Sequence, residues 1–136
     1  MRSRLLLVED NVLAATAIVL ALADHGFDVE VVNLGRQAVG RLIQRSFDVV
    51  LIDLTLPDLD GGTLAEMIRS DWPDLPIILT SGYDRPARLA ALLESRFTAF
   101  LQKPFEIASL LSEIEAQRSG SQRTRTDPRR PRGHFW

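Results

Sequence analysis

Six side chains in this 136-residue sequence combine types and spacing that could do chemistry. Glu9 and Asp10 are adjacent acids that end an apolar run, and Asp53 ends another. Thr80 and Ser81 end a third, and Lys103, the only lysine among sixteen basic residues, follows a fourth. Carboxylates gathered in one crevice repel each other, by ~4 kcal/mol for a pair about 4 Å apart at an effective dielectric of roughly 20. Either such carboxyls share protons, with coupled titration, or a cation joins them. A hard divalent ion with oxygen ligands, Mg²⁺ foremost, suits the set. A lysine ammonium is a point-charge partner for a phosphoryl oxygen. A carboxylate beside such an ion, faced by a lysine and a hydroxyl, is a site for phosphoryl transfer to aspartate. Asp53 would be the nucleophile and Thr80 a hydrogen-bond donor to the transferred group.

Gathering these residues requires elements that end at one place. Apolar runs over 5–8, 27–32, 47–53, 77–81 and 97–102 read as strands, and the segments 11–24, 35–45, 61–70, 86–94 and 106–118 as helices. Gly26 is placed as a C-cap glycine and Pro86 opens the fourth helix in its first turn. Strands buried on both faces and separated by helices imply a parallel sheet covered on both sides. With right-handed crossovers the simplest arrangement is a (βα)5 doubly wound sheet. Ligands of such sheets sit beyond the carboxyl ends of the strands, where all six residues fall.

Composition narrows the field. With 46% hydrophobic and 25% charged residues the chain is an ordinary globular domain. The absence of cysteine excludes a disulfide framework, a thiolate metal site and cysteine nucleophile chemistry. No targeting signal is expected. The longest nearly apolar stretch, 12–23, falls short of the roughly 20 residues a spanning helix needs, so a cytoplasmic protein is expected. Residues 118–136 carry a net charge of +5 and residues 1–117 one of −7. The basic C-terminal tail, 119–136, lacks apolar periodicity and is expected to be disordered. It is too short for a DNA-binding domain. His25 and His134 show no metal-ligand spacing.

Taken together, the motifs resemble the receiver domain of bacterial two-component response regulators, the CheY-like family, over about residues 3–118. Val8-Glu9-Asp10 is similar to its acidic pair. The run from Ile52-Asp53-Leu54-Thr55 through Asp60-Gly61 is similar to its phospho-acceptor loop. Leu79-Thr80-Ser81-Gly82 is similar to its switch hydroxyl segment, and Gln102-Lys103-Pro104-Phe105 to its lysine-proline element. The resemblance implies the flavodoxin-like strand order 2-1-3-4-5, phosphorylation on Asp53, and Mg²⁺ held by Glu9, Asp10, Asp53 and the backbone carbonyl of Thr55. It also implies a cis Lys103–Pro104 bond and a switch in which Thr80 moves toward the phosphoryl group while Phe100 turns inward behind it. Phe100 as ordinary core stands beside that reading. The switching surface would lie near residues 86–117. Glu9 stands where the family more often has Asp, and Thr55 and Gly82 occupy positions that influence phosphoryl lifetime.

The expected function is a single-domain response regulator. It would accept a phosphoryl group from a histidine kinase or phosphotransfer protein and signal through protein–protein contacts, without being a conventional enzyme. The first helix is unusually apolar for a surface helix. With Ala14, Ile18 and Leu22 facing inward, Leu13, Val19 and Leu20 remain to dock a kinase, a phosphotransfer protein or a second copy. Three alternatives compete. An aspartyl-phosphate phosphohydrolase usually has a second Asp where this chain has Thr55. A flavin-binding domain wants a Ser/Thr-rich loop where Glu9-Asp10-Asn11 stands. A phosphorylation-independent interaction module would leave the acidic site idle.

Overall fold

The structure, a computed structural model, describes residues 2–121. Five parallel strands alternate with helices: β1 (Ser3–Val8), α1 (Val12–Ala23), β2 (Phe27–Val32), α2 (Gly35–Gln44), β3 (Val49–Asp53), α3 (Gly61–Asp71), β4 (Ile77–Ser81), α4 (Ala90–Leu93), β5 (Thr98–Gln102) and α5 (Ile107–Ser121). The sheet order is β2-β1-β3-β4-β5, the 2-1-3-4-5 order implied by the resemblance. Among the described residues no helix is long and apolar enough to cross a membrane.

Strand residues alternate between two cores because successive side chains point to opposite faces. Leu6, Val8, Val50, Ile52, Ile77 and Leu79 join the core beneath α2, α3 and α4, which includes Ala38, Leu42, Leu64, Ile68, Leu89 and Leu92. Leu5, Leu7, Val49, Leu51 and Ile78 join the other with Ala15 and Leu22 of α1 and Leu110 and Ile114 of α5. The strands therefore read as continuous apolar runs rather than as alternating ones.

Helix starts are fixed by side-chain acceptors. Asn11 Oδ1 accepts from the N–H of Ala14 at 2.9 Å and Asp60 Oδ2 from that of Thr63 at 3.0 Å. Leu34, at the start of α2, has no side-chain acceptor. Asp58 supplies it from the β3–α3 loop, accepting from Gly35 N–H at 2.8 Å and Arg36 N–H at 3.0 Å. Gly26 follows α1 at φ 85°, the left-handed conformation expected of it.

Three expectations are corrected. The fourth helix is not continuous over 86–94: a 3₁₀ turn, Ala87–Leu89, precedes a four-residue α4. Pro86 lies just outside it in extended conformation, and only Leu89 and Leu92 are buried, too short an apolar stripe to hold a long helix. In α1 the inward face is Ala15 and Leu22 with Ile18 and Val19 packed alongside, so Val19 is shared between the core and the surface stripe. The last helix runs to Ser121, past the expected boundary at 118. The expectations for residues 122–136, including the disorder of the tail and the reading of His134, lie outside the described residues.

Candidate functional site

The sheet register brings the polar strand ends level. Asp53 is the register partner of Thr80, and Leu54 N–H donates to Thr80 carbonyl at 2.8 Å. Val8 pairs with Ile52, which sets Glu9 beside Asp53. On the other side Ser81 pairs with Gln102, and Lys103 N–H donates to Ser81 carbonyl at 2.7 Å. The Lys103–Pro104 bond is cis.

From that turn Lys103 Nζ reaches back across the strand ends. It lies 2.6 Å from Glu9 Oε1 and 3.4 Å from Asp53 Oδ2. Glu9 is 2% exposed, and its second oxygen accepts from Asn11 N–H at 3.1 Å. Burial raises the Glu9 carboxyl above the ordinary carboxylate value, against the hydrogen bonds from Lys103 and Asn11, and the neighbouring Asp53 charge adds to the rise. For Lys103, burial alone would lower the ammonium. Its hydrogen bond to Glu9 and the charges of Asp53 and Glu9 outweigh that and hold it above the ordinary lysine value. Asp53 Oδ1 accepts from Thr55 N–H at 3.1 Å, which fixes the carboxylate relative to the loop that follows.

Glu9, Asp10 and Asp53 each offer a carboxylate oxygen, and these oxygens lie within 4.8 Å of one another. Asp10 is exposed at the mouth of the cluster. Such an all-oxygen, multiply anionic donor set fits a hard divalent cation better than any softer metal. Of the residues named from the sequence, the structure thus gathers Glu9, Asp10, Asp53, Thr55, Thr80 and Lys103. Phe100 pairs with Leu79 and is half-buried against the core under α2, α3 and α4, beside a cleft shared with Arg85 and Leu93.

Other residues that shape the site were not singled out. A Cβ on Gly61 would sit 2.4 Å from the Asp53 carbonyl oxygen and 2.7 Å from Leu54 Cα, so the start of α3 can press against the end of β3 only as glycine. Asp60 pairs in a fork with Arg88, at 2.8 and 2.7 Å, tying the loop after Asp53 to the turn before α4. The acceptor loop contains Asp58, Asp60 and Gly61, but Gly35 and Arg36, which donate to Asp58, and Arg88, which pairs with Asp60, lie 22 to 28 residues away in sequence, beyond any local pattern.

Comparison with known proteins agrees with this geometry. The family model for the response regulator receiver domain matches residues 5–115. The swarming motility regulation protein RssB of Serratia marcescens is 38% identical over 112 residues, covering 82% of this chain and 51% of that protein. The chain thus spans about half the length of the curated relatives it matches. Among solved structures, the receiver domain of the sensor histidine kinase PA1611 of Pseudomonas aeruginosa PAO1 superposes with a TM-score of 0.77 at 30% identity, covering 88% of this chain and 99% of that one. That structure has a magnesium ion coordinated in its active-site cleft. A CheY-like receiver domain from Methanospirillum hungatei JF-1 shares the fold with a TM-score of 0.81 at 23% identity, over 90% of this chain and 98% of that one. On its fold, its strand-end carboxylates and its match along most of its length, the chain belongs to the response regulator receiver domain family.

Proposed function

We propose that Asp53 accepts a phosphoryl group from a phosphohistidine of a histidine kinase or phosphotransfer protein. One Asp53 oxygen attacks phosphorus, the P–N bond breaks, and its electron pair returns to the imidazole. The observation that carries this reading is Asp53 with two further carboxylate oxygens within 4.8 Å and the Lys103 ammonium, which it shares with Glu9, at 3.4 Å. Glu9, Asp10, Asp53 and the Thr55 carbonyl are the residues that would hold Mg²⁺, which supplies positive charge toward the phosphoryl oxygens when bound. Lys103 neutralises a further oxygen, and Thr80, in register with Asp53, donates a hydrogen bond to another. The chain serves as receiver and switch, not as a conventional enzyme.

Phosphorylation replaces a charge of −1 with about −2 and adds three acceptor oxygens. The groups positioned to respond are Thr80, Lys103 and, through the Asp60–Arg88 pair, the turn before α4. The readout is a change in protein contacts on α4, β5 and α5, with Phe100 on β5 following Thr80. Leu13 and Leu20 of α1, 82% and 65% exposed, offer an apolar face for the phosphodonor protein. Incubation with Mg²⁺ and acetyl phosphate should add one phosphoryl group on Asp53 by intact mass and peptide mapping, and Asp53→Asn should abolish it. No adduct on the wild type overturns the reading.

A further inference from the structure

A groove of about 480 Å³ runs along the open β2 edge of the sheet, between α1 and α2. Its apolar wall is Val12, Val19 and Leu20 of α1 with Val31 of β2, and Asp10 and Arg41 line it too. Val12 is 75% and Val31 41% exposed, so these residues bury little against the described fold. Exposed apolar surface of this kind marks an interaction site. The charges beside it are unequally matched. Arg41 is paired with Glu30 at 3.2 Å and Glu9 with Lys103, whereas Asp10 has no hydrogen bond or ion pair among the described residues. The groove thus presents apolar surface with an unpaired anion beside it.

The chain itself contains the complement. Residues 122–136 hold five arginines and one acid, Asp127, together with Phe135 and Trp136, two large apolar side chains. They continue from α5, which lies against α1, and Arg118 Nη1 donates to Ser3 Oγ at 3.0 Å beside the start of β1. From Ser121 to Phe135 an extended chain reaches roughly 45 Å at about 3.3 Å per residue. The twelve residues of α1 rise only about 18 Å and the helix is about 10 Å across, so the groove on its far side is within reach.

We propose that, while no divalent cation holds Asp10, residues 122–136 cross α1 and occupy this groove, with Phe135 and Trp136 against Val12, Leu20 and Val31 and an arginine against Asp10. The segment then covers part of the face that α1 offers to a protein partner, and it stabilises the exposed edge strand. This inference stands independently of phosphorylation at Asp53, because docking is measured without a phosphodonor or a divalent cation.

Two measurements on the full chain test it. Trp72 is 1% exposed, so acrylamide quenching of tryptophan fluorescence reads Trp136. The wild type should be protected, and the pair Leu20→Glu and Val31→Glu should lose that protection with a red shift of emission. Conversely, Phe135→Ala with Trp136→Ala, outside the packed core, should move the methyl resonances of Val12, Leu20 and Val31 at every protein concentration. A Trp136 as accessible in the wild type as in the groove variant overturns the proposal, as do unmoved methyl resonances. Methyl shifts that grow with protein concentration also overturn it, by making a second copy the occupant.

Discussion

Lys103 is shared unequally between two carboxylates, closer to buried Glu9 than to Asp53. It compensates a buried charge on Glu9, and on the proposed reading it would move toward charge that arrives on Asp53. Lys103→Met should slow phosphorylation by acetyl phosphate by about 10²-fold, the scale for removing one preorganised electrostatic donor, read from the initial rate of mass gain. Lys103→Arg should not restore the rate, because a planar guanidinium fork cannot take the place of a compact ammonium. That a lone lysine belongs with Asp53 was legible in the sequence, since strand-end placement and charge both pointed there. Its closer bond to Glu9 was not, because it depends on how deeply Glu9 is buried.

The loop after β3 shows how elements are set against each other. Asp60 caps α3 and holds Arg88, so Asp60→Ala should cost ~1 kcal/mol or more in urea unfolding, and Asp60→Asn, which keeps the cap acceptor, should cost less. Burial of Asp60 works against ionisation, but the Arg88 and Thr63 hydrogen bonds prevail and hold its carboxyl below the ordinary aspartate value. In the window between the folded and unfolded values the unfolded chain binds more protons, so stability from Asp60 is present above the ordinary aspartate range. It is lost as pH falls through the folded value. The stability gap between wild type and Asp60→Asn should therefore shrink on acidification. Gly61→Ala should destabilise by roughly 1–3 kcal/mol, because the new methyl meets backbone rather than a side chain that can move. Strands and long helices were readable from apolar runs and 3.6-residue spacing. The truncated α4 and the cap that Asp58 gives α2 were not: the first depends on which apolar residues the fold buries, the second on a contact distant in sequence.

Across the whole molecule, the two ends of the sheet have separate tasks. The carboxyl ends of the strands carry the acids, hydroxyls and lysine. The amino ends of β4 and β5 are tied by Arg69, which donates to the carbonyls of Trp72, Pro73, Leu75 and Phe97 and to Thr98 Oγ1 at 2.6–3.1 Å. Burial lowers the Arg69 guanidinium to about 10, partly offset by Asp74. Arg69→Met leaves these acceptors unpaired and should cost ~3 kcal/mol in chemical denaturation, while the folded fraction still takes phosphate on Asp53. Nothing in the local sequence around Arg69 distinguishes it from the exposed arginines.

The charge of the strand-end cluster also bears on the proposed phosphoryl transfer. Three carboxylates and one ammonium leave two negative charges without compensation. On the proposed reading a donor bearing a phosphoryl dianion would approach that surplus uphill, and a divalent cation would cancel it. Occupancy by cation and by phosphoryl group would therefore be linked, and by reciprocity each would strengthen the other by the same factor. On the proposed reading the site would act as an electrostatic turnstile, in which a bound cation opens the acceptor to its donor and an arriving phosphoryl group in turn holds the cation.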